Sequence, residues 1–324
     1  MIRQGMLCLL ALPLLVAAEG DTDAATPLGG VLLDESTFTI RPLLGGAGQA
    51  RTGTPSVRSA RYALVAPDGH TALVVTETAI SVVRRVHTSN PVWRLLTEDR
   101  LNVDRAVWSR DANALAIYDA RQALMLVWRN VQTDPAPAGS IDMSAFPAAP
   151  ALLALSSDAS CLFATFPERD FASLYLLPVG GIGRPLLSLA RPAALLLEGD
   201  TLYVADRGRA VVDAISNWKS GLNVRTVVAS GNGISEPAGI GISPDGTQLY
   251  VADAGFNQLL AFDLSSSAQK GVVELSFRPT GMAPVGSDSL FLLDKGTPGE
   301  SPAQILQASN LRVIDVPLGA AATP

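Results

Sequence analysis

The chain has 324 residues, of which 48% are hydrophobic and 17% charged, with a net charge of −6. Such a chain can bury a large core and is not disordered as a whole. Its acidic balance argues against a nucleic-acid partner, which needs a basic footprint.

In chain order, residues 1–18 are expected to be a secretory signal peptide. Arg3 gives a positive start, Met6 to Ala17 is an apolar run, and Val16-Ala17-Ala18 offers small residues for cleavage before Glu19. The run is too short for a comfortable membrane span. Cleavage removes Arg3 and Cys8 and leaves Cys161 as the only cysteine, so no internal disulfide is expected. Cys161 lies in an apolar strand and reads as a buried, inert thiol. No later stretch is apolar enough to span a membrane, so none is expected after cleavage. A secreted or periplasmic location follows.

Residues 19–30 are small, polar and acidic, as in a flexible mature N-terminus. Residues 31–324 are assigned to one all-β domain. Val31 to Leu44 reads as two strands joined at Glu35-Ser36, with Phe38 and Ile40 alternating with Thr37, Thr39 and Arg41. Gly45-Gly46-Ala47-Gly48 has no helix after it, so it is a loop rather than a phosphate cradle.

A strand-turn-strand unit then recurs at roughly forty residues, the spacing of four-stranded propeller blades. The second strand of each unit ends at Thr76, Asp119, Phe166, Asp206, Asp253 and Asp294. Its first turn uses Pro67-Asp68-Gly69, Asp111-Ala112-Asn113, Ser157-Asp158-Ala159, Glu198-Gly199-Asp200, Pro244-Asp245-Gly246 and Gly286-Ser287-Asp288. These are residues that tolerate positive φ or bond their own backbone. The fold expected is an all-β β-propeller of six four-stranded blades, with the strand Thr37 to Leu44 helping to close the ring. A seventh, partial blade is the alternative. Trp93, Trp108, Trp128 and Trp218 are expected to pack between blades.

The stretch from Arg225 to Leu264 resembles an NHL repeat. Thr226-Val227-Val228-Ala229-Ser230-Gly231-Asn232-Gly233, Pro237-Ala238-Gly239-Ile240 and Gly246-Thr247-Gln248-Leu249-Tyr250-Val251-Ala252-Asp253 carry the likeness. Leu202-Tyr203-Val204-Ala205-Asp206 repeats its core, and secreted bacterial YVTN-type propellers share these phrases. The resemblance implies a propeller fold and no particular activity. Leu259 stands where NHL repeats often carry a basic residue.

Related enzymes supply tests. Lactonase-like propellers resemble the chain around Ser243-Pro244-Asp245-Gly246, but where their repeat places a metal-ligating Asn this chain has Ala238. Lyase-like propellers need a histidine base, and His70 and His87, in a turn and at a strand end, look misplaced for one. No Gly-x-Ser-x-Gly elbow and no Cys-x-x-Cys-His haem site occurs. No catalytic residue, metal ligand or cofactor is therefore assigned. The recurring Asp119, Asp206, Asp253 and Asp294 read mainly as loop caps.

The face bearing the second-to-third-strand loops and the inter-blade loops is the candidate binding rim. It presents Arg191, Arg207, Arg209, Arg278, Asp206, Asp253 and Asp294. Its arginines suit carboxylate or phosphate groups. The function expected is a monomeric, non-enzymatic binding or protein-interaction scaffold for an extracytoplasmic protein or a small anionic ligand. A lactonase- or lyase-like enzyme acting on a small molecule at the central funnel is the alternative.

Overall fold

The computed structural model describes residues 27–45, 50–58, 60–286, 290–297 and 301–318. The expected signal peptide, residues 19–26 and Gly46 to Gly48 of the glycine loop lie outside them. The described chain forms seven antiparallel meanders. Blade 1 has three strands: β1 Pro27–Asp34, β2 Thr39–Leu44 and β3 Arg51–Thr52. The other six have four each. Blade 2 comprises β4 Tyr62–Val65, β5 Thr71–Val75, β6 Ile80–Arg84 and β7 Val92–Thr97. Blade 3 comprises β8 Val103–Trp108, β9 Leu115–Asp119, β10 Leu124–Arg129 and β11 Ala136–Asp142. Blade 4 comprises β12 Leu152–Leu155, β13 Cys161–Pro167, β14 Ala172–Pro178 and β15 Arg184–Leu189. Blade 5 comprises β16 Pro192–Glu198, β17 Thr201–Asp206, β18 Val211–Ser216 and β19 Asn223–Ala229. Blade 6 comprises β20 Pro237–Ile242, β21 Gln248–Asp253, β22 Gln258–Asp263 and β23 Gln269–Glu274. Blade 7 comprises β24 Gly281–Pro284, β25 Leu290–Asp294, β26 Ala303–Gln307 and β27 Arg312–Val316. One 3-10 turn, Ser230–Asn232, is the only helical element among the described residues.

The chain is thus a seven-bladed propeller, which corrects the expected count of six. The six sequence repeats are blades 2 to 7, and the N-terminal pair belongs to a blade of its own. Seven buried apolar clusters establish the number, one at each seam. Six join consecutive blades from 1 to 7. The seventh joins blade 7 back to blade 1 through Leu32, Leu43, Val285, Leu290, Ile305, Ile314 and Val316. Val31 packs toward blade 2 and its neighbour Leu32 toward blade 7, as a strand's alternation requires.

The closing device is also not the one expected. Thr39–Leu44 is the middle strand of blade 1 and adds to no other sheet. Closure runs through β1, the innermost strand. Val31 donates its N–H to Val285 O at 3.1 Å, and Gly30 bridges Gly286. A Cβ on Gly30 would lie 2.1 Å from Val285 O, so only glycine lets the two blades approach.

Burial explains the composition of each strand. Second strands such as β5, β9 and β21 are covered on both faces by neighbouring blades, and their long apolar runs are buried nearly end to end. Outer strands such as β7 and β23 have exposed positions. Trp108, Trp128 and Trp218 are buried at seams, but Trp93 sits exposed on β7, because an outermost strand has no neighbour beyond it. Cys161 is buried and unpaired, and burial pushes its thiol up.

Candidate functional site

The turns of blades 2 to 7 divide between two faces. The connections after second strands and between blades meet on one face. The turns after first strands and after third strands meet on the other. The recurring aspartates tie the first face together. Asp206, fully buried, accepts N–H groups from Ala190 (2.8 Å), Arg191 (2.9 Å) and Gly208 (3.0 Å), and Arg209 Nε at 2.9 Å. Burial pushes its carboxyl up, but these donors outweigh burial and hold it below the usual carboxylate range. Asp253, also fully buried, accepts N–H groups from Ser235 (3.0 Å), Glu236 (2.6 Å) and Phe256 (3.1 Å). Asp119 caps Arg121 and Gln122 in the same way. Each of these three carboxylates fastens its own second-strand loop, and in blades 5 and 6 it also fastens the preceding inter-blade loop. Asp294 differs: it is exposed, and among the described residues it accepts the Gly296 N–H alone, at 2.7 Å.

The arginines of the rim fall into two groups. Arg209 is held by Asp206 and by the buried Asp213, and Arg278 pairs with Glu236 across two inter-blade loops. Arg191 is exposed, and Arg207 is half-buried with a buried Nε that meets no hydrogen-bond partner among the described residues. The rim carries two residues that the sequence did not single out. Phe256, 62% exposed, occupies in the blade 6 loop the position that Arg209 occupies in blade 5. Phe171, 39% exposed, lies in the corresponding loop of blade 4. Both are large apolar residues in loops whose other members are charged, polar or small, which is the signal that could have found them.

Two further features lie away from blades 4 to 6 of this rim. At the opposite mouth of the channel, Arg110 of blade 3 reaches across the axis. Its Nε bonds Glu198 at 2.9 Å in blade 5, and its Nη2 bonds Ile242 O at 2.8 Å in blade 6. Arg110 stands where the turns of blades 2 and 6 have Pro67 and Pro244, a departure visible in the sequence. At the seam of blades 7 and 1, a cavity of about 290 Å³ is lined by Leu33, Glu35, Met282, Asp294, Lys295 and Gln304, among others. Burial, and then the Asp294 carboxylate, push the Glu35 carboxyl above its ordinary range. Among the described residues no group of three or more His, Cys, Asp or Glu could hold a metal ion. No helix among them is long and apolar enough to cross a membrane.

The architecture defines the class as a β-propeller. No family model matches the chain, and no curated protein does. Solved structures supply the likenesses. The chain is similar to a functionally unknown protein from Desulfotomaculum acetoxidans, with a TM-score of 0.60 and 11% identity over 88% of this chain and 94% of that one. It is similar to Kuenenia stuttgartiensis hydrazine synthase, with a TM-score of 0.51 and 14% identity over 91% and 97%. A chain of a nidogen/laminin complex aligns at a TM-score of 0.49 and 14% identity over 76% and 93%. At such identities the first two bear on fold alone, and a fold hosts many activities.

Proposed function

We propose that this chain is an NHL-like propeller, secreted or periplasmic, that works as a non-enzymatic scaffold for a protein partner. The interacting face is the rim of second-strand and inter-blade loops on blades 4 to 6. One observation carries the reading: Phe171 and Phe256 stand exposed on either side of the blade 5 loop that holds Arg207 and Arg209, with Arg191 beside it. Aromatic and arginine side chains are those enriched at protein interfaces and at their energetic centres. Asp206 and Asp253 fix the blade 5 and blade 6 loops before any partner arrives, which lowers the ordering cost of association. Arg191 and Arg207 give such a face a preference for acidic partners.

The test is a crosslinking experiment in the native host, with a photoreactive residue at position 256 and another at exposed Val272 on the outer strand of the same blade. Capture of one stoichiometric protein at 256, absent at 272 and abolished by Phe171→Glu, supports the reading. Equal capture at both positions, or none, overturns it.

A second reading has its own observation. The Glu35 carboxyl, raised beside Asp294 in the seam cavity, is the kind of group that serves proton transfer on a small molecule. Glu35→Gln separates the two, since it would remove a turnover of that kind and leave capture at position 256 unchanged.

A further inference from the structure

The chain has two histidines, and they touch. His70 Nδ1 lies 3.0 Å from His87 Nδ1, with ring centroids 4.3 Å apart and planes inclined by 57°. The repeat brings them together. β5 and β6 end their pairing at Thr71 and Arg84, then Arg85 turns left-handed at φ 57 and Val86 donates its N–H to His70 O at 3.0 Å. The following side chain, His87, therefore folds back over His70. Blade 3 builds the same corner: Asn130 is left-handed at φ 56, Val131 bonds Asn113 O, and Asn113 and Gln132 stand in the places of the two histidines.

We propose that His70 and His87 form a chelating pair for one divalent transition-metal ion of the Cu²⁺ or Ni²⁺ class. Two imidazole nitrogens at about 2.0–2.1 Å from one ion stand roughly 2.9 Å apart at a right angle and roughly 3.4 Å apart at a tetrahedral one. The observed 3.0 Å fits the right angle. Right-angled nitrogen donors with remaining oxygen positions are the preference of tetragonal Cu²⁺ and Ni²⁺, more than of tetrahedral Zn²⁺. Both rings are half-buried, so water has access to the remaining positions.

The pair is held in place before any ion binds. Asp68 accepts the N–H groups of His70 at 2.8 Å and Thr71 at 2.9 Å on one oxygen, and its other oxygen accepts from Thr71 Oγ1 at 2.8 Å and from Gln132 of blade 3 at 2.7 Å. The carboxylate is thereby saturated. It offers negative charge to the site without acting as a ligand, and Arg85 is the opposing charge. An imidazole binds metal only in its neutral form, so binding competes with protons. The ion takes the place of the proton that the two Nδ1 atoms share, and that proton moves to Nε2 of its own ring, so both imidazoles bind as neutral ligands.

The experiment uses the full chain without a histidine tag, titrated with Cu²⁺ and followed by calorimetry and electron paramagnetic resonance. One Cu²⁺ per chain is expected, with hyperfine splitting from two nitrogens and affinity that falls as pH drops through the imidazole range. His70→Asn and His87→Gln reproduce the blade 3 corner, so each should fold with an unchanged melting temperature. Each should weaken Cu²⁺ by on the order of a hundredfold, because the second donor adds intramolecularly. Cu²⁺ bound equally by both variants, a spectrum with one nitrogen or none, or no binding by the parent chain would overturn the proposal.

Discussion

Asp253→Ala isolates the capping role of the buried carboxylates. The substitution removes an acceptor with no solvent exposure that serves three backbone N–H groups, at 3.0, 2.6 and 3.1 Å. A hydrogen bond to a charged group is worth about 1.5–3 kcal/mol, and such bonds sharing one acceptor do not add fully. Ser235, Glu236 and Phe256 lie in loops that water can partly reach, which returns some of the loss. The net cost should be about 3 kcal/mol. Asp294→Ala removes one bond at an exposed carboxylate and should cost about 0.5–1 kcal/mol. Asp253→Asn should fall between them, because Oδ1 alone serves Ser235 and Glu236 and an amide oxygen can replace it. Urea unfolding at pH 7 measures all three, with an unchanged slope as the check that only stability moved. Equal midpoints for Asp253→Ala and Asp294→Ala would refute the capping argument.

Three other outcomes are expected. A chain beginning at Arg61 lacks blade 1 and with it Val31, Leu32, Ile40, Leu43 and Val57, all nearly fully buried; at about 2 kcal/mol for each side chain the loss approaches total stability, and light scattering should show association at the two bared seams. Acid stability should report Asp206, whose folded value is depressed: its contribution is fully present above the unfolded carboxylate value, is lost as pH falls through the folded one, and Asp206→Asn should flatten that limb of a melting-temperature profile. Protein recovered outside the cytoplasm should begin at Glu19, which N-terminal sequencing checks, and an intact Met1 would point to an anchored chain.

Much of the ring was legible because its repeats carry turn chemistry. Turns of Gly, Asp, Asn or Ser, such as Pro67-Asp68-Gly69 and Glu198-Gly199-Asp200, followed by apolar runs located blades 2 to 7, and the second strands of blades 3, 5, 6 and 7 end at Asp119, Asp206, Asp253 and Asp294 as read. Blade 1 escaped because it lacks both signals. It has no Leu-Tyr-Val-Ala-Asp phrase, and its third strand has only two residues, Arg51 and Thr52. Its alternation of Phe38 and Ile40 is that of any half-buried strand and does not say which sheet the strand joins. The contacts of Arg110 and of the histidine pair escaped for a different reason. Arg110 meets Glu198 and Ile242 only because the ring brings blades 3, 5 and 6 to one axis. His87 meets His70 through a left-handed Arg85, a residue type that does not announce that conformation.

Among the described residues each blade is folded from one consecutive stretch of sequence, and no sheet borrows a strand from another. Every hydrogen-bond ladder therefore begins and ends inside a single repeat, and what passes between repeats is side-chain packing, side-chain hydrogen bonds such as that from Gln132 to Asp68, and a few backbone bonds such as that from Val31 to Val285. Duplication or deletion of one whole repeat would leave all remaining ladders intact and ask only that the wedge angle between neighbours readjust. In descent the countable unit of such a protein is the blade, and the number seven records how many wedges of this thickness complete a circle.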